Sequence, residues 1–484
     1  LDLLTICNIF LPKKPIMMNK YNYCFLLLLL LGMSRSGTAQ PLVDSLKRIL
    51  ENAAPSIYTT QGLSFGGASA ALITPSGQVL TATSGQATPA VEMADTFRLG
   101  ASDVTQTFMA TLTLALMQEG KLMLNQPISA FNIGTLTNVP ATTTIRQLLT
   151  HTSGLADFAT NANYTSTILF DVSRNFTAAE LTQLLVGAPS APGTFRYANT
   201  NFLVLGLVLE AANGTETLQQ SLQRLVLTPA GLTGIQFYQS PDPTNLAPLF
   251  ADVFGSGFPQ QVTPHTSVFT GAGAAGNIIA TPRQMVQFLR ALATGSILNA
   301  ANLQQMLSFS ASTGRLGSQY GLGIEQFNIT VNGQQRTVIG HTGEINYVTV
   351  ALYDPTDSVG VAMVSNNALA TPRAVLDVAV RFFGAYRRLG TTSVDEAVLP
   401  GAQVRLYPNP TRQLLSLDFT LLQNARVGWS LYNLQGQLLR RGDPRQLSAG
   451  NYTERLEVAG LAPGTYLLRL ETGSTGVTQK VIIR

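Results

Sequence analysis

Charge is the first scarcity. Only 12% of the 484 residues are Asp, Glu, Lys or Arg, about half the share of roughly 25% usual in globular domains. Gly, Thr, Ser, Gln and Asn supply the polarity instead, a composition that suits an extracellular protein. The pI near 9.0 invites a nucleic-acid reading. A net charge of only +4 with few basic clusters argues against it, so no nucleic-acid partner is expected. Cysteine is nearly missing: both copies, Cys7 and Cys24, fall before residue 40. Neither disulfides nor thiol chemistry is expected beyond that point, even in an oxidising compartment. Lysine is rarer still, with only Lys47, Lys121 and Lys480 after residue 39. No apolar run reaches the roughly 18 residues that a membrane span needs, and no metal-ligand spacing or phosphate loop is present. No transmembrane span, metal or cofactor is expected.

What is present begins with a leader. Lys20 precedes the apolar run Phe25 to Leu31, followed by Gly37-Thr38-Ala39 and Gln40. A basic start, a short apolar core and small residues before a cut are the marks of a secretory signal peptide. The translation start is expected at Met17 or Met18, with residues 1–16 as upstream sequence. A second boundary lies near 392–404, where composition changes. Residues 40–403 carry 16 Lys/Arg and 20 Asp/Glu, whereas residues 404–484 carry 10 and 5. The shift implies two units joined by a linker. The expected division is 1–39 leader, 40–392 first unit, 393–403 linker and 404–484 second unit.

Periodicity assigns elements within the first unit. Leu42, Leu46 and Leu50 share one face of a helix over 42–52. Strands are expected at 67–74 and 78–84, helices at 103–119, 144–151, 177–187, 199–213, 216–228 and 281–293. Strands return at 335–340, 346–354 and 358–366 before a helix at 373–386. Thr177 and Glu180 form a capping box, and Thr281-Pro282 puts proline at the first helical position. Sheet, helical insert, sheet and helix predict an α/β (α+β) architecture: an antiparallel sheet flanked by helices, with an all-helical lobe beside it. In the second unit about seven alternating stretches separated by turn signals, such as Gly464 to Leu470, predict a small Ig-like β-sandwich.

Segments spread through the first unit carry a resemblance. Phe97-Arg98-Leu99-Gly100, the helix end Met117 to Leu122, Thr144 to Leu155 (TIRQLLTHTSGL), Tyr197-Ala198-Asn199, Tyr320-Gly321-Leu322-Gly323 and Gly340-His341-Thr342-Gly343 occur in that order. Together they resemble the serine β-lactamase and D-alanyl-D-alanine carboxypeptidase superfamily, nearest its class C-like branch, over roughly residues 42–390. The resemblance implies a β-lactamase/transpeptidase-like fold and acyl transfer. A serine at a helix start attacks a carbonyl, and a lysine three residues on takes its proton. It also implies a Tyr-x-Asn loop for proton transfer and substrate binding, a His-x-Gly strand on the opposite wall, and backbone N–H groups for the oxyanion.

The loop and the strand match, and the nucleophile motif does not. Tyr197 and Asn199 take the loop roles; His341, Thr342 and Gly343 take the strand roles. Counting forward from Phe97 puts Ala101 at the serine position. Counting back from Thr107-Phe108-Met109-Ala110 puts Asp103 there, with Gln106 for the lysine. No Ser-x-x-Lys occurs after residue 39, because the three lysines follow Asp44, Gln118 and Val477. Gln106 has no useful proton affinity near neutral pH. Ser102 is the nearby hydroxyl, so Ser102, Tyr197 and His341 are the candidate catalytic residues. Asn199, Thr342, Gly343 and Glu344 are the candidate substrate-binding ones, with Asp103 and Gln106 as degenerate motif positions. Glu344 replaces a small residue and would repel the terminal carboxylate of a β-lactam or D-Ala-D-Ala peptide. His151 is expected to help close a helix end, and His265 to lie in a polar surface loop.

The second unit resembles the type A C-terminal sorting domain of the type IX secretion system. Leu406-Tyr407-Pro408-Asn409-Pro410 matches its opening, and Leu461 to Tyr466 and Gln479 to Arg484 match its closing strands. The expectation is a secreted or cell-surface protein, carried across the outer membrane by that machinery. Its first unit is a serine hydrolase-like domain for amide or ester hydrolysis of peptidoglycan-type or other acyl substrates, impaired by the missing Ser-x-x-Lys. The alternative is a catalytically inactive protein that binds its ligand in the same cleft. Either way the partner is a small-molecule or peptide acyl ligand, and a monomer is expected.

Overall fold

The computed structural model describes residues 39–484 apart from 61–62, 242, 244, 264, 311–315, 390–403, 422–423, 434–436 and 473–474. The expected leader and the linker at 393–403 lie outside the described residues. The chain forms two compact units, one up to Arg387 and one from Arg388.

The first unit is built on an eight-stranded sheet. Its strands in chain order are β1 (Gly67–Ile73), β2 (Val79–Thr88), β3 (Val91–Glu92), β4 (Gln319–Tyr320), β5 (Glu325–Val331), β6 (Gln334–Gly343), β7 (Val348–Asp354) and β8 (Val359–Ser365). They lie side by side as β4-β5-β6-β7-β8-β1-β2-β3, antiparallel throughout. Every residue of β1, β7 and β8 is buried. Successive side chains of a strand point to opposite faces, so total burial means that both faces of the sheet's centre are covered. Helix α1 (Ala39–Ile57) packs on β2, with Leu42, Leu46 and Leu50 inside as their spacing requires. A later helix, Pro282–Ala293, packs on β1, β7 and β8. Gly360 admits it, because a Cβ there would lie 2.6 Å from Val286 Cγ2. The terminal helix Pro372–Leu389 completes the unit.

Helix α2 (Val104–Gln118) is buried from Val104 to Leu116. A helix hydrophobic all round belongs in a core, and α2 lies between β6 and β7 on one side and helix α3 (Thr200–Asn213) on the other. This is the junction of sheet and helical lobe. The start signals read from sequence are present, a reciprocal capping box at Thr177/Glu180 and Pro282 in the first turn after Thr281, where the structure adds a second box with Gln284. The helix expected over 216–228 begins as Leu218–Leu222 and continues through a wide π turn, Gln223–Leu227. Strand β5 was not anticipated. It alternates inside and out, but its first inward position is Glu325, a charged residue where the period asks for an apolar one.

The second unit has seven strands in two antiparallel sheets. Val404–Tyr407, Leu414–Leu421 and Gly450–Glu457 form one; Leu438–Leu447, Ala425–Asn433, Gly464–Thr472 and Thr475–Ile483 form the other. Leu415, Leu417, Phe419, Leu431, Leu456, Leu468 and Val481 meet in its core. The expected small β-sandwich is there.

Candidate active site

The start of α2 meets the end of β6 at a close backbone approach. A Cβ on Gly343 would lie 2.6 Å from Asp103 N and 2.7 Å from Ser102 Oγ, so only glycine fits between the helix start and the strand. Asp103 is the residue just before the helix, and its carboxylate stands at the positive end of the helix dipole.

Five donors converge on that carboxylate. Oδ2 accepts from Glu344 N at 2.7 Å, from Ile345 N at 3.3 Å and from Ser102 Oγ at 3.3 Å. Oδ1 accepts from Tyr197 Oη at 2.9 Å and Gln106 Nε2 at 3.2 Å. Gln106 Nε2 also points at Tyr197 Oη (2.8 Å) and Asn199 Oδ1 (2.9 Å). Its other end, Oε1, accepts from Tyr320 Oη at 3.2 Å. An amide serves this position because it both donates and accepts. A lysine ammonium could donate to the same groups but could not accept from Tyr320.

Behind Gln106 lies a buried relay whose proton directions follow from its partners. His151 Nδ1 faces two N–H donors, Ala198 N at 3.2 Å and Asn201 Nδ2 at 3.0 Å, so it accepts and Nε2 carries the proton. That Nε2 donates to Tyr320 Oη at 3.0 Å. His341 Nδ1 donates to the Thr342 carbonyl at 2.6 Å, so its Nε2 accepts, and the single proton of Tyr320 Oη is shared between His341 Nε2 at 3.0 Å and Gln106 Oε1 at 3.2 Å. Glu325, buried at the base, accepts from Thr342 N (2.9 Å), Thr342 Oγ1 (3.0 Å) and Ser318 Oγ (3.0 Å).

The structure therefore brings Asp103, Gln106, Tyr197, Asn199 and the Glu344 backbone together. Gly343 abuts them. His341 lies one layer back and reaches Gln106 through Tyr320, and Thr342 is engaged by Glu325. Ser102 is adjacent, but its single hydroxyl proton is shared between the Ile345 carbonyl at 3.1 Å and Asp103 Oδ2 at 3.3 Å. Its backbone is left-handed, with φ of 51°, a conformation that costs a non-glycine residue about 1 kcal/mol or more. His265 corrects the sequence reading: it is buried, and its Nε2 accepts from Leu249 N at 3.3 Å. Phe269, four residues on, and Leu249, from an earlier strand, lie against it, and the polar local sequence does not reveal the latter. His151 does close a helix end as expected, just after Ile145–Leu149, and is fully buried.

Sequence reasoning missed Asp157. Its Oδ1 accepts from Ala159 N (3.1 Å) and Asn199 N (3.0 Å), and Oδ2 from Asn199 Nδ2 (3.3 Å). Burial raises its pKa to about 6; the two backbone donors pull the other way, and the nearby Asp103 carboxylate adds to the rise. The signal was there, a lone carboxyl in Leu155-Ala156-Asp157-Phe158 of a chain poor in charge. Asp157, Tyr197, Asn199 and Glu344 line a pocket of about 430 Å³. Among the described residues, no group of three or more His, Cys, Asp or Glu is placed to hold a metal ion.

Comparison with known proteins extends these observations. The beta-lactamase family model matches residues 59–385, and the secretion system C-terminal sorting domain model matches residues 405–484. The D-stereospecific amidohydrolase from Streptomyces sp. superposes with a TM-score of 0.59 at 23% identity, covering 69% of this chain and 98% of that one. The D-amino acid amidase from Ochrobactrum anthropi SV3, complexed with L-phenylalanine, gives 0.60 at 21%, covering 72% and 99%. EstCE1, a hydrolase with promiscuous acyltransferase activity, gives 0.56 at 20%, covering 72% and 99%. At these identities the likeness is one of fold.

Proposed function

The chain belongs to the beta-lactamase family and carries a type IX C-terminal sorting domain that marks it for secretion or the cell surface, and from that premise we propose that its cleft binds an acyl-type small molecule or peptide without turning it over. One observation carries this reading. The Asp103 carboxylate, not a hydroxyl, stands at the start of α2, and it already holds the Glu344 N–H, the group the family resemblance assigns to the oxyanion. A substrate oxyanion would have to displace a carboxylate of the same sign. Tyr197 points its proton at Asp103, so it is not poised to accept one from a nucleophile. Gln106 supplies no base, and losing a general base removes about 10²–10⁴-fold in rate.

A second reading keeps hydrolysis of amides or esters, the activities named for the amidohydrolase, amidase and hydrolase of similar fold. It uses Ser102 as nucleophile, Tyr197 as base and the His341 strand as the opposite wall. The strained backbone of Ser102 favours it, since such strain gathers at functional sites. Intact-mass spectrometry after incubation with a fluorophosphonate or a penicillin-type probe separates the two. The binding reading expects no covalent adduct and no esterase turnover. An adduct that disappears in Ser102→Ala would overturn it.

A further inference from the structure

We propose that the pocket beside Tyr197 takes the cationic end of its ligand, an amine carried on an apolar body, rather than an anionic group. This rests on the binding reading above and names the class of ligand. The pocket has the volume for such a molecule, about 430 Å³. Two carboxylates line it, Asp157 and Glu344, and among the described residues no Lys, Arg or His lines it. Asp103 stands behind Tyr197 and adds a third negative charge close enough to act on Asp157.

The donor and acceptor pattern agrees with this charge. Asp157 Oδ1 is occupied by two backbone N–H groups, whereas Oδ2 has only the long 3.3 Å contact with Asn199 Nδ2. A carboxylate oxygen has lone pairs for a further donor, and an ammonium supplies up to three. Independently, the Tyr164 hydroxyl at the same pocket is shut off from solvent, and the Asn346 side chain beside it makes no hydrogen bond of ordinary geometry with it. Buried hydroxyls are rarely left unpaired, and a polar group on a ligand would satisfy it. The rest of the wall is apolar, with Ile168, Leu169 and Leu249 among its residues. An anion entering here would face like charges with no compensating cation, an arrangement that rejects it.

Isothermal titration of the full chain at pH 7.5 with three probes of one shape tests this: 3-phenylpropylamine, 3-phenylpropanamide and 3-phenylpropanoate. The amine should bind, the amide should bind at least about tenfold more weakly, and the carboxylate more weakly again. In Glu344→Gln and Asp157→Asn the preference for the amine over the amide should shrink several-fold. Carboxylate binding as tight as the amine's would overturn the cation inference while leaving the binding reading intact. Absence of binding by all three would overturn the cation inference as well. A covalent adduct with the fluorophosphonate, alongside a retained preference for the amine, would sink the non-turnover reading and leave the cation inference standing.

Discussion

Asp103 and Glu325 are both carboxylates buried in the first unit, both held against the end of β6, and they differ in where their donors come from. Glu325 collects three, from Thr342 and Ser318, all belonging to one corner of the sheet. Asp103 collects five, from the helix start, the Tyr197 loop and the backbone after β6. The first arrangement fastens neighbouring strands. The second joins three separate elements at the wall of a pocket, using the groups to which the family resemblance gives chemical roles. A buried charge is thus structural or functional according to which elements answer it, and sequence position alone does not say which.

The largest effect should come from rewriting the Asp103 side of this comparison. Asp103→Ser with Gln106→Lys supplies a hydroxyl at the helix start and an amine one turn on. It also frees the Glu344 N–H. The double variant should form an adduct with a penicillin-type probe about 10²–10⁴-fold faster than Asp103→Ser alone, the usual worth of a general base. Tyr320 loses the Gln106 acceptor in that variant but keeps His341, so the pocket should survive. Equal labelling rates for single and double variants would mean that Tyr197, not the residue at 106, sets the proton transfer.

Glu325 should respond in stability instead. Glu325→Ala removes an acceptor from Thr342 N, Thr342 Oγ1 and Ser318 Oγ, in a site shut off from solvent. Leaving buried donors without this acceptor costs about 1–3 kcal/mol each when they stay unsatisfied, so urea unfolding should show a loss of about 3 kcal/mol or more. Binding of 3-phenylpropylamine should hardly change. A large loss of binding with little loss of stability would reverse the roles assigned to the two carboxylates.

How far the sequence disclosed this follows from the same contrast. The sheet and helices were legible because β1, β7 and β8 are runs of small and branched apolar residues, and because the Thr177 capping box and the proline after Thr281 mark helix starts within four residues. The sandwich was legible because strands such as Leu414–Leu421 alternate and turn signals separate them. The Tyr197, Asn199 and His341 segments were singled out by resemblance, and the structure draws Tyr197 and Asn199 to Asp103 and Gln106. What stayed hidden depends on contacts across the chain. Glu325 breaks the pattern of its own strand because its partners lie on the neighbouring one. His265 looks exposed in its polar loop because its hydrogen-bond donor, Leu249 N, lies on an earlier strand. Ser102 was singled out as a hydroxyl, and no local pattern tells that it faces the Ile345 carbonyl.

The smallest of the expected effects sharpens the comparison with a third carboxylate, Asp157, which accepts from Ala159 and Asn199 at the pocket wall. Its pKa lies at about 6, above the ordinary 3.8, chiefly through burial. The sign follows directly. The folded protein holds this proton more tightly than the unfolded chain, so Asp157 favours folding most below pH 3.8, and that contribution is lost as pH rises through about 6. A bound cation reverses the balance by stabilising the ionised form. Asp103, Glu344, Tyr164 and Tyr197 are the other titratable groups at this site, and Asn199 is the amide that pins Asp157 in place. Affinity for 3-phenylpropylamine, which stays protonated throughout, should be flat above about pH 7 and fall by up to about tenfold per unit below about pH 6. In Asp157→Asn, which keeps an acceptor for the Ala159 and Asn199 N–H groups, the slope between pH 5 and 7 should vanish. A slope that persists in that variant would assign it to another group, with the buried His151–Tyr320–His341 relay the next to test.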